Sequence, residues 1–261
     1  MKPPPFAYHR PRTREEVDRL LAELGPEAKL LAGGQSLIPI LNMRLAAPAH
    51  VIDLNFLGGE PGAPVLDRGV LSFGPLVRQS AVERSPLVAE RLPLLREVLQ
   101  HVAHPAIRSR GTLVGSIAHA DPAAELPALF VLLEGEARVR GTERRTIPAG
   151  ELFAGHLETT LAPAEWIEEV RLPVHAGGAF EEFARRHGDY ALCGVAALAT
   201  GDEVALSFVG MGPTPLRLQG GVREAVARLE PEDDIHATAA YRRHLALKLG
   251  ERVARRAKEA A

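Results

Sequence analysis

A short apolar run, Ala28-Lys29-Leu30-Leu31-Ala32, stops at Gly33-Gly34-Gln35-Ser36 before apolar residues resume at Leu37. This pattern predicts a strand that ends in a tight turn, followed by a short helical turn from Leu37. Consecutive backbone N–H groups exposed at such a turn form a concavity that binds anions, phosphates especially, without a charged side chain. Glycine lets the anion approach the backbone closely. A plain strand-to-helix turn is the alternative reading. No G-x-G-x-x-G accompanies the turn, so the Rossmann dinucleotide fingerprint is absent.

Upstream, Thr13-Arg14-Glu15-Glu16 reads as a capping box opening a helix with Val17, Leu20, Leu21 and Leu24 on one face. Gly25-Pro26 stops it, and Val51-Ile52-Asp53-Leu54 is a further strand. The first 55 residues therefore read as a small β-α-β unit. Gly and Pro crowd residues 58–69, which marks a loop or boundary. A strand follows over Val70–Gly74, then helical sequence over 79–100 that Pro86 and Pro93 must break.

A second small-residue turn runs from Arg110 through Gly111-Thr112-Leu113-Val114-Gly115 to Ser116. A helix from about Ala123 to Leu133 and strands near 136–140 and 166–172 come next. The last third changes character, with strands over 179–186, 195–200 and 203–210 and closing helices near 221–229 and 238–257. The class is α+β. Two glycine turns in one chain suggest a diphosphate held between two loops, a shape that suits FAD or a similar dinucleotide.

Composition removes several functions. The formal net charge of −2 leaves no basic excess for nucleic acid. The Arg-rich stretch Arg242, Arg243, Arg252, Arg255 and Arg256 reads as a solvated helix face. No run of about 18 apolar residues exists, so no membrane span is expected. The opening Met1-Lys2-Pro3-Pro4-Pro5 lacks the apolar core of a signal peptide, which predicts a cytoplasmic protein. Cys193 is the single cysteine. One thiol holds neither an iron–sulfur cluster, which generally takes four ligands, nor an intrachain disulfide.

Other side chains have unexceptional readings. His101 and His104 are surface or packing histidines, because no third metal ligand accompanies them. Cys193 is a buried inert thiol and Trp166 a packing residue, and a plain cap of the following helix is the alternative reading for Asp121-Pro122.

At this point the residues carry a resemblance. Ala32-Gly33-Gly34-Gln35-Ser36-Leu37, Met43-Arg44-Leu45, Pro48 and Val51-Ile52-Asp53 resemble the first FAD-binding segment of the xanthine dehydrogenase and carbon monoxide dehydrogenase flavoproteins. His104-Pro105-Ala106-Ile107-Arg108, Gly111-Thr112 to Ser116 and Ala118-His119-Ala120-Asp121-Pro122-Ala123-Ala124-Glu125-Leu126-Pro127 resemble the second. Arg185 with Asp189-Tyr190-Ala191-Leu192 resembles a third stretch. Asp234-Ile235-His236-Ala237 with Tyr241-Arg242-Arg243-His244-Leu245 resembles the C-terminal signature. The resemblance spans nearly the whole chain in order.

It implies an FAD-binding fold of the vanillyl-alcohol oxidase (PCMH) type in two α/β subdomains, over 1–57 and 58–173, with a C-terminal α+β domain over 174–261. It implies FAD contacts from Leu31, Ala32, Gly33, Gly34, Gln35, Ser36 and Leu37, with the pyrophosphate and ribityl chain on the 32–36 loop. Gly111, Thr112, Gly115 and Ser116 would hold the other side of the phosphates. His119 would join the site, Asp121 and Glu125 would lie near adenosine or ribityl hydroxyls, and Tyr190 would lie beside the isoalloxazine ring.

The implied function is the FAD-binding, electron-transferring medium subunit of a molybdenum hydroxylase. Its partners would be a large molybdopterin subunit and a small 2Fe-2S subunit, in a heterotrimer or its dimer, and its electrons would go to an external acceptor. A stand-alone flavin oxidase or reductase of the same fold and an FAD-free assembly subunit are the alternatives. Two departures stand out. The family usually has Gly-Gly where this chain has Val114-Gly115, and often Asn at Ser109. If residue 114 needs a positive φ, its valine strains the loop, and Val114→Gly would tighten FAD binding.

Overall fold

The computed structural model describes residues 2–59 and 62–261. Met1, and Glu60-Pro61 of the expected 58–69 loop, lie outside the described residues. The N-terminal unit is β1 (Ala7–His9), α1 (Arg14–Leu24), β2 (Ala28–Leu31), α2 (Leu37–Asn42) and β3 (His50–Asp53). Its three strands are parallel in the order β1-β3-β2. The Thr13 hydroxyl accepts the Glu16 N–H at the start of α1, while the Glu16 carboxylate reaches back to the Arg12 N–H at 2.5 Å. Gly25 ends α1 at φ 57°. Val17 and Leu21 then bury against Ala28, Ile52 and Trp166 in a small core.

The middle of the chain holds β4 (Val65–Asp67), β5 (Val70–Phe73) and the short helices α3 (Gln79–Glu83), α4 (Pro86–Arg91), α5 (Pro93–His101), α6 (Pro105–Arg108), α7 (Leu113–His119) and α8 (Glu125–Leu132). β6 (Glu136–Arg140), β7 (Arg145–Pro148), α9 (Ala149–Leu152), β8 (Phe153–Gly155), β9 (Glu158–Thr159) and β10 (Trp166–Pro173) follow. An antiparallel sheet in the order β4-β5-β10-β6-β7 carries the helices. Proline stands in the first turn of α4, α5 and α6, where its missing N–H breaks no helical bond. Every residue of α8 is buried, and it packs with α5 and α7 in the largest core.

The second glycine turn is shorter than its sequence implied. Thr112 accepts the Gly115 N–H at 3.0 Å and starts α7 at Leu113, so most of the segment is helix. Val114 lies inside α7, 4% exposed, and is not among the residues with positive φ. The premise of a strained Val114 is therefore overturned: the position is helical, and its side chain fills the core.

The last third is the antiparallel meander β11 (Ala179–Ala184), β12 (Ala191–Thr200), β13 (Glu203–Val209), β14 (Arg217–Gln219), closed by α10 (Val222–Ala227) and α11 (Ala239–Ala260). β12 is buried on both faces. Cys193, Val195 and Ala197 join one core with Ala246, Leu249, Val253 and Ala257 of α11, while Ala196 and Leu198 face the core of the middle region. The period-2 alternation of a strand makes this possible. Arg242 corrects the solvated-face reading. It is 7% exposed and donates to the Leu192 carbonyl at 2.7 Å and to Asp234 at 2.6 Å. Arg252 and Arg256 do lie at the surface, paired with Glu181 and Glu97. Among the described residues no helix is long and apolar enough to cross a membrane.

Candidate functional site

The two glycine loops meet at the wall of one cleft of about 650 Å³. That volume falls within the usual range for small-molecule sites. Ala32, Gly33, Gly34, Gln35, Ser36 and Leu37 line one side, and Gly111, Thr112, Gly115 and Ser116 line another. His119, Asp121, Glu125 and Tyr190 complete the gathering. Leu31 is the exception: its side chain packs behind the loop, close to where a Cβ on Gly34 would lie.

The loops depend on their glycines. Gly34 adopts φ +74°, the left-handed region that side chains avoid. Gly33 presses against the other loop: a Cβ there would lie 2.5 Å from the Arg110 carbonyl oxygen and 2.8 Å from the Gly111 Cα. A Cβ on Gly115 would lie 2.6 Å from Thr112 Oγ1, the atom that caps α7.

Polar groups arrive from several elements. Asp121 follows the left-handed Ala120 that ends α7, and its carboxylate accepts the Ala123 N–H at 2.9 Å, as a turn cap does. Tyr190 projects into the cleft with 65% exposure. Partial shielding of its hydroxyl from solvent, together with the negative charge of Asp121, raises the hydroxyl above the ordinary range. Burial holds His119 below the ordinary imidazole value. Glu125 opens α8 at 7% exposure, and burial, with Glu182 nearby, pushes its carboxyl up to about 7. Behind it, His101 Nδ1 stands 3.3 Å from Glu182, which raises the imidazole.

The site also uses residues that carry no sequence motif. Gln79 lines the cleft at 5% exposure, and its Oε1 is buried with no hydrogen-bond partner. Behind the loops, Asn55 donates to the Ala32 carbonyl at 2.8 Å, and Arg78 donates to Asn55 Oδ1 and to the Arg110 carbonyl, both at 2.5 Å. Asp53, which ends β3 and accepts the Asn55 N–H, was the only available signal for Asn55, and nothing local marks Arg78 or Gln79.

Trp166 borders the same cleft. It is 2% exposed, and its indole N–H donates to Asp18 at 2.9 Å. Cys193 is fully buried, and burial pushes its thiol up to about 12. Among the described residues no cluster of His, Cys, Asp and Glu is arranged to hold a metal ion.

Residues 4–175 match the family described as the FAD binding domain in molybdopterin dehydrogenase. The chain belongs to this family. As a molybdopterin dehydrogenase FAD-binding protein it is 37% identical to the 6-hydroxypseudooxynicotine dehydrogenase complex subunit alpha of Paenarthrobacter nicotinovorans, over 97% of this chain and 94% of that one. It is 35% identical to the carbon monoxide dehydrogenase medium chain of Hydrogenophaga pseudoflava, over 97% and 96%. A solved structure of the Hydrogenophaga pseudoflava carbon monoxide dehydrogenase superposes with a TM-score of 0.93 at 33% identity and full coverage of both chains. Quinoline 2-oxidoreductase from Pseudomonas putida 86 gives 0.89 at 34% identity, covering 100% and 99%. The chain is thus an oxidoreductase component with an FAD-binding domain.

The cleft fits that cofactor. It has two backbone loops with no room for a Cβ at Gly33 and Gly115, an orphan acceptor at Gln79 Oε1, and the carboxyl groups of Asp121 and Glu125 with Tyr190 in its lining. An elongated diphosphate with hydroxyl and amine donors matches this set.

Proposed function

We propose that this chain is the FAD-binding electron-transfer subunit of a molybdenum hydroxylase. It would work beside a large molybdopterin subunit and a small 2Fe-2S subunit, in a heterotrimer or its dimer, with an external electron acceptor. The observation that carries this reading is the meeting of both glycine loops on one cleft of about 650 Å³. The lone, buried Cys193 supports it, because any iron–sulfur centre must then sit on another chain. Ile38, Met43 and Leu45 remain exposed on and after α2, and Tyr241 on α11, as surfaces covered by partners would.

In this reading the fold is of the vanillyl-alcohol oxidase (PCMH) type, with units at 1–57, 58–173 and 174–261, in a cytoplasmic protein. When bound, the flavin supplies redox chemistry that joins one-electron donors to a two-electron acceptor. The protein positions it. Ala32, Gly33, Gly34, Gln35 and Ser36 on one side, and Gly111, Thr112, Gly115 and Ser116 on the other, would hold the diphosphate region. Asp121 and Glu125 would take the adenosine or ribityl hydroxyls, and Tyr190 would lie beside the isoalloxazine ring. An FAD-free assembly role loses its one support, because Val114 is helical and unstrained.

Titration of the purified chain with FAD, followed by flavin absorbance and fluorescence, tests this. Saturable one-to-one binding is expected, with co-purification of molybdenum and iron–sulfur subunits as the next step. No binding even with those partners present would remove the electron-transfer role.

A further inference from the structure

We propose that Asn55 and Arg78 are positioning residues that clamp the two glycine loops at a fixed separation and so set the affinity of the cleft for its dinucleotide. The proposal rests on the FAD reading above for its ligand, though the clamp itself is visible without one. Asn55 Nδ2 donates both to the Ala32 carbonyl, at 2.8 Å, and to Asp53 Oδ1, at 2.6 Å. Its Oδ1 accepts from Arg78 at 2.5 Å. The other guanidinium nitrogen of Arg78 donates to the Arg110 carbonyl at 2.5 Å. Tyr8 anchors the far end by donating to Asp53 Oδ2 at 2.5 Å.

The placement of the two gripped carbonyls carries the argument. Ala32 immediately precedes Gly33, and Arg110 immediately precedes Gly111. Gly33 is the residue whose missing Cβ lets the loops touch, with the Arg110 carbonyl and the Gly111 Cα as its nearest neighbours. The clamp therefore fastens both loops at their point of contact, through two residues that do not themselves line the cleft. The C=O and N–H of a trans peptide point in opposite directions. Fixing the Ala32 carbonyl thus also fixes the direction of the Gly33 N–H.

Arg suits this role better than Lys. Its planar fork reaches two acceptors at once with little loss of rotamer freedom per bond. Arg78 also pairs with Thr112 in an isolated antiparallel bridge, and the flanking Gln79 N–H donates to the Gly111 carbonyl at 2.9 Å. The backbone at 78–79 is thereby tied to the second loop, and the side chain of Arg78 is left to span to the first.

Three variants of the full chain, Arg78→Met, Arg78→Lys and Asn55→Ala, test the clamp by two measurements. One is amide hydrogen exchange at 33–36 and 110–113 without FAD, and the other is FAD titration. Arg78→Met is expected to speed exchange in both loops and to weaken FAD roughly tenfold or more, as loss of charged hydrogen bonds does. Arg78→Lys should recover part of both effects, and Asn55→Ala should loosen the 33–36 loop more than the other. Parent-like exchange in Arg78→Met would overturn the clamp. So would unfolding of all three variants, since the network would then support the fold as a whole. If the parent chain binds no FAD, the flavin reading fails and exchange alone decides the clamp.

Discussion

Gly33 and Gly111 touch backbone to backbone: a methyl group on Gly33 would lie 2.8 Å from the Gly111 Cα. Neither atom belongs to a flexible side chain that can move aside. Gly33→Ala is therefore expected to push the loops apart, at roughly 1–3 kcal/mol, as overpacking does. FAD titration and thermal melting check it, and an alanine variant that binds and melts like the parent would sink this account of the loop contact.

Val114 is 4% exposed in the core beside α8. Val114→Gly removes buried apolar area and places glycine in a helix, so a loss of about 2–4 kcal/mol is expected. Denaturant unfolding reads this directly. FAD affinity should not improve, the reverse of the outcome expected from the sequence. A variant that is both tighter and equally stable would restore the idea of a strained loop.

The contribution of Glu125 to stability should fall as pH rises towards neutrality. The Glu125 carboxyl is raised from 4.5 to about 7, so the folded chain holds a proton that the unfolded chain releases near 4.5. Between these values the native state binds more protons, and stability declines as pH increases. His101, raised from 6.5 by Glu182, acts in the same direction. It contributes stability fully below 6.5 and loses it as pH climbs through its raised value. Burial lowers His119 and His175, which act the opposite way below 6.5, so the readout is the difference between parent and Glu125→Gln. Urea midpoints in the parent should fall with pH relative to those of Glu125→Gln, and parallel profiles in the two would contradict the buried, proton-holding Glu125.

Tyr190 stands 65% exposed in the cleft with little packing to lose. Tyr190→Phe and Tyr190→Ala should both fold. If the ring lies along the isoalloxazine, bound FAD should be more fluorescent in the alanine variant than in the phenylalanine one. Affinity should fall several-fold, for a contact of ~1 kcal/mol. Identical fluorescence in both variants would place the flavin ring elsewhere.

Local chemistry made much of the fold readable. Thr13 and Gly25 bound α1, and Pro86 and Pro93 divide the helices where their missing N–H groups require. β1 escaped because three residues, Ala7-Tyr8-His9, form a strand only through parallel pairing with β3, a contact distant in sequence. β4, β7, β8, β9 and β14 are similarly short. Small residues concealed α7, whose Thr112 cap was read as part of a turn. The glycine loops announced themselves through their backbone needs. Asn55, Arg78 and Gln79 did not, because a lone polar side chain acquires its role only when folding brings its partners within reach.

The sealed interior around Cys193 has a practical corollary. With that thiol 0% exposed and its ionisation pushed up to about 12, maleimides and spin-label reagents should pass over the native chain. A cysteine introduced on either loop would then be the sole addressable handle, and a pair, one per loop, would serve as a molecular ruler.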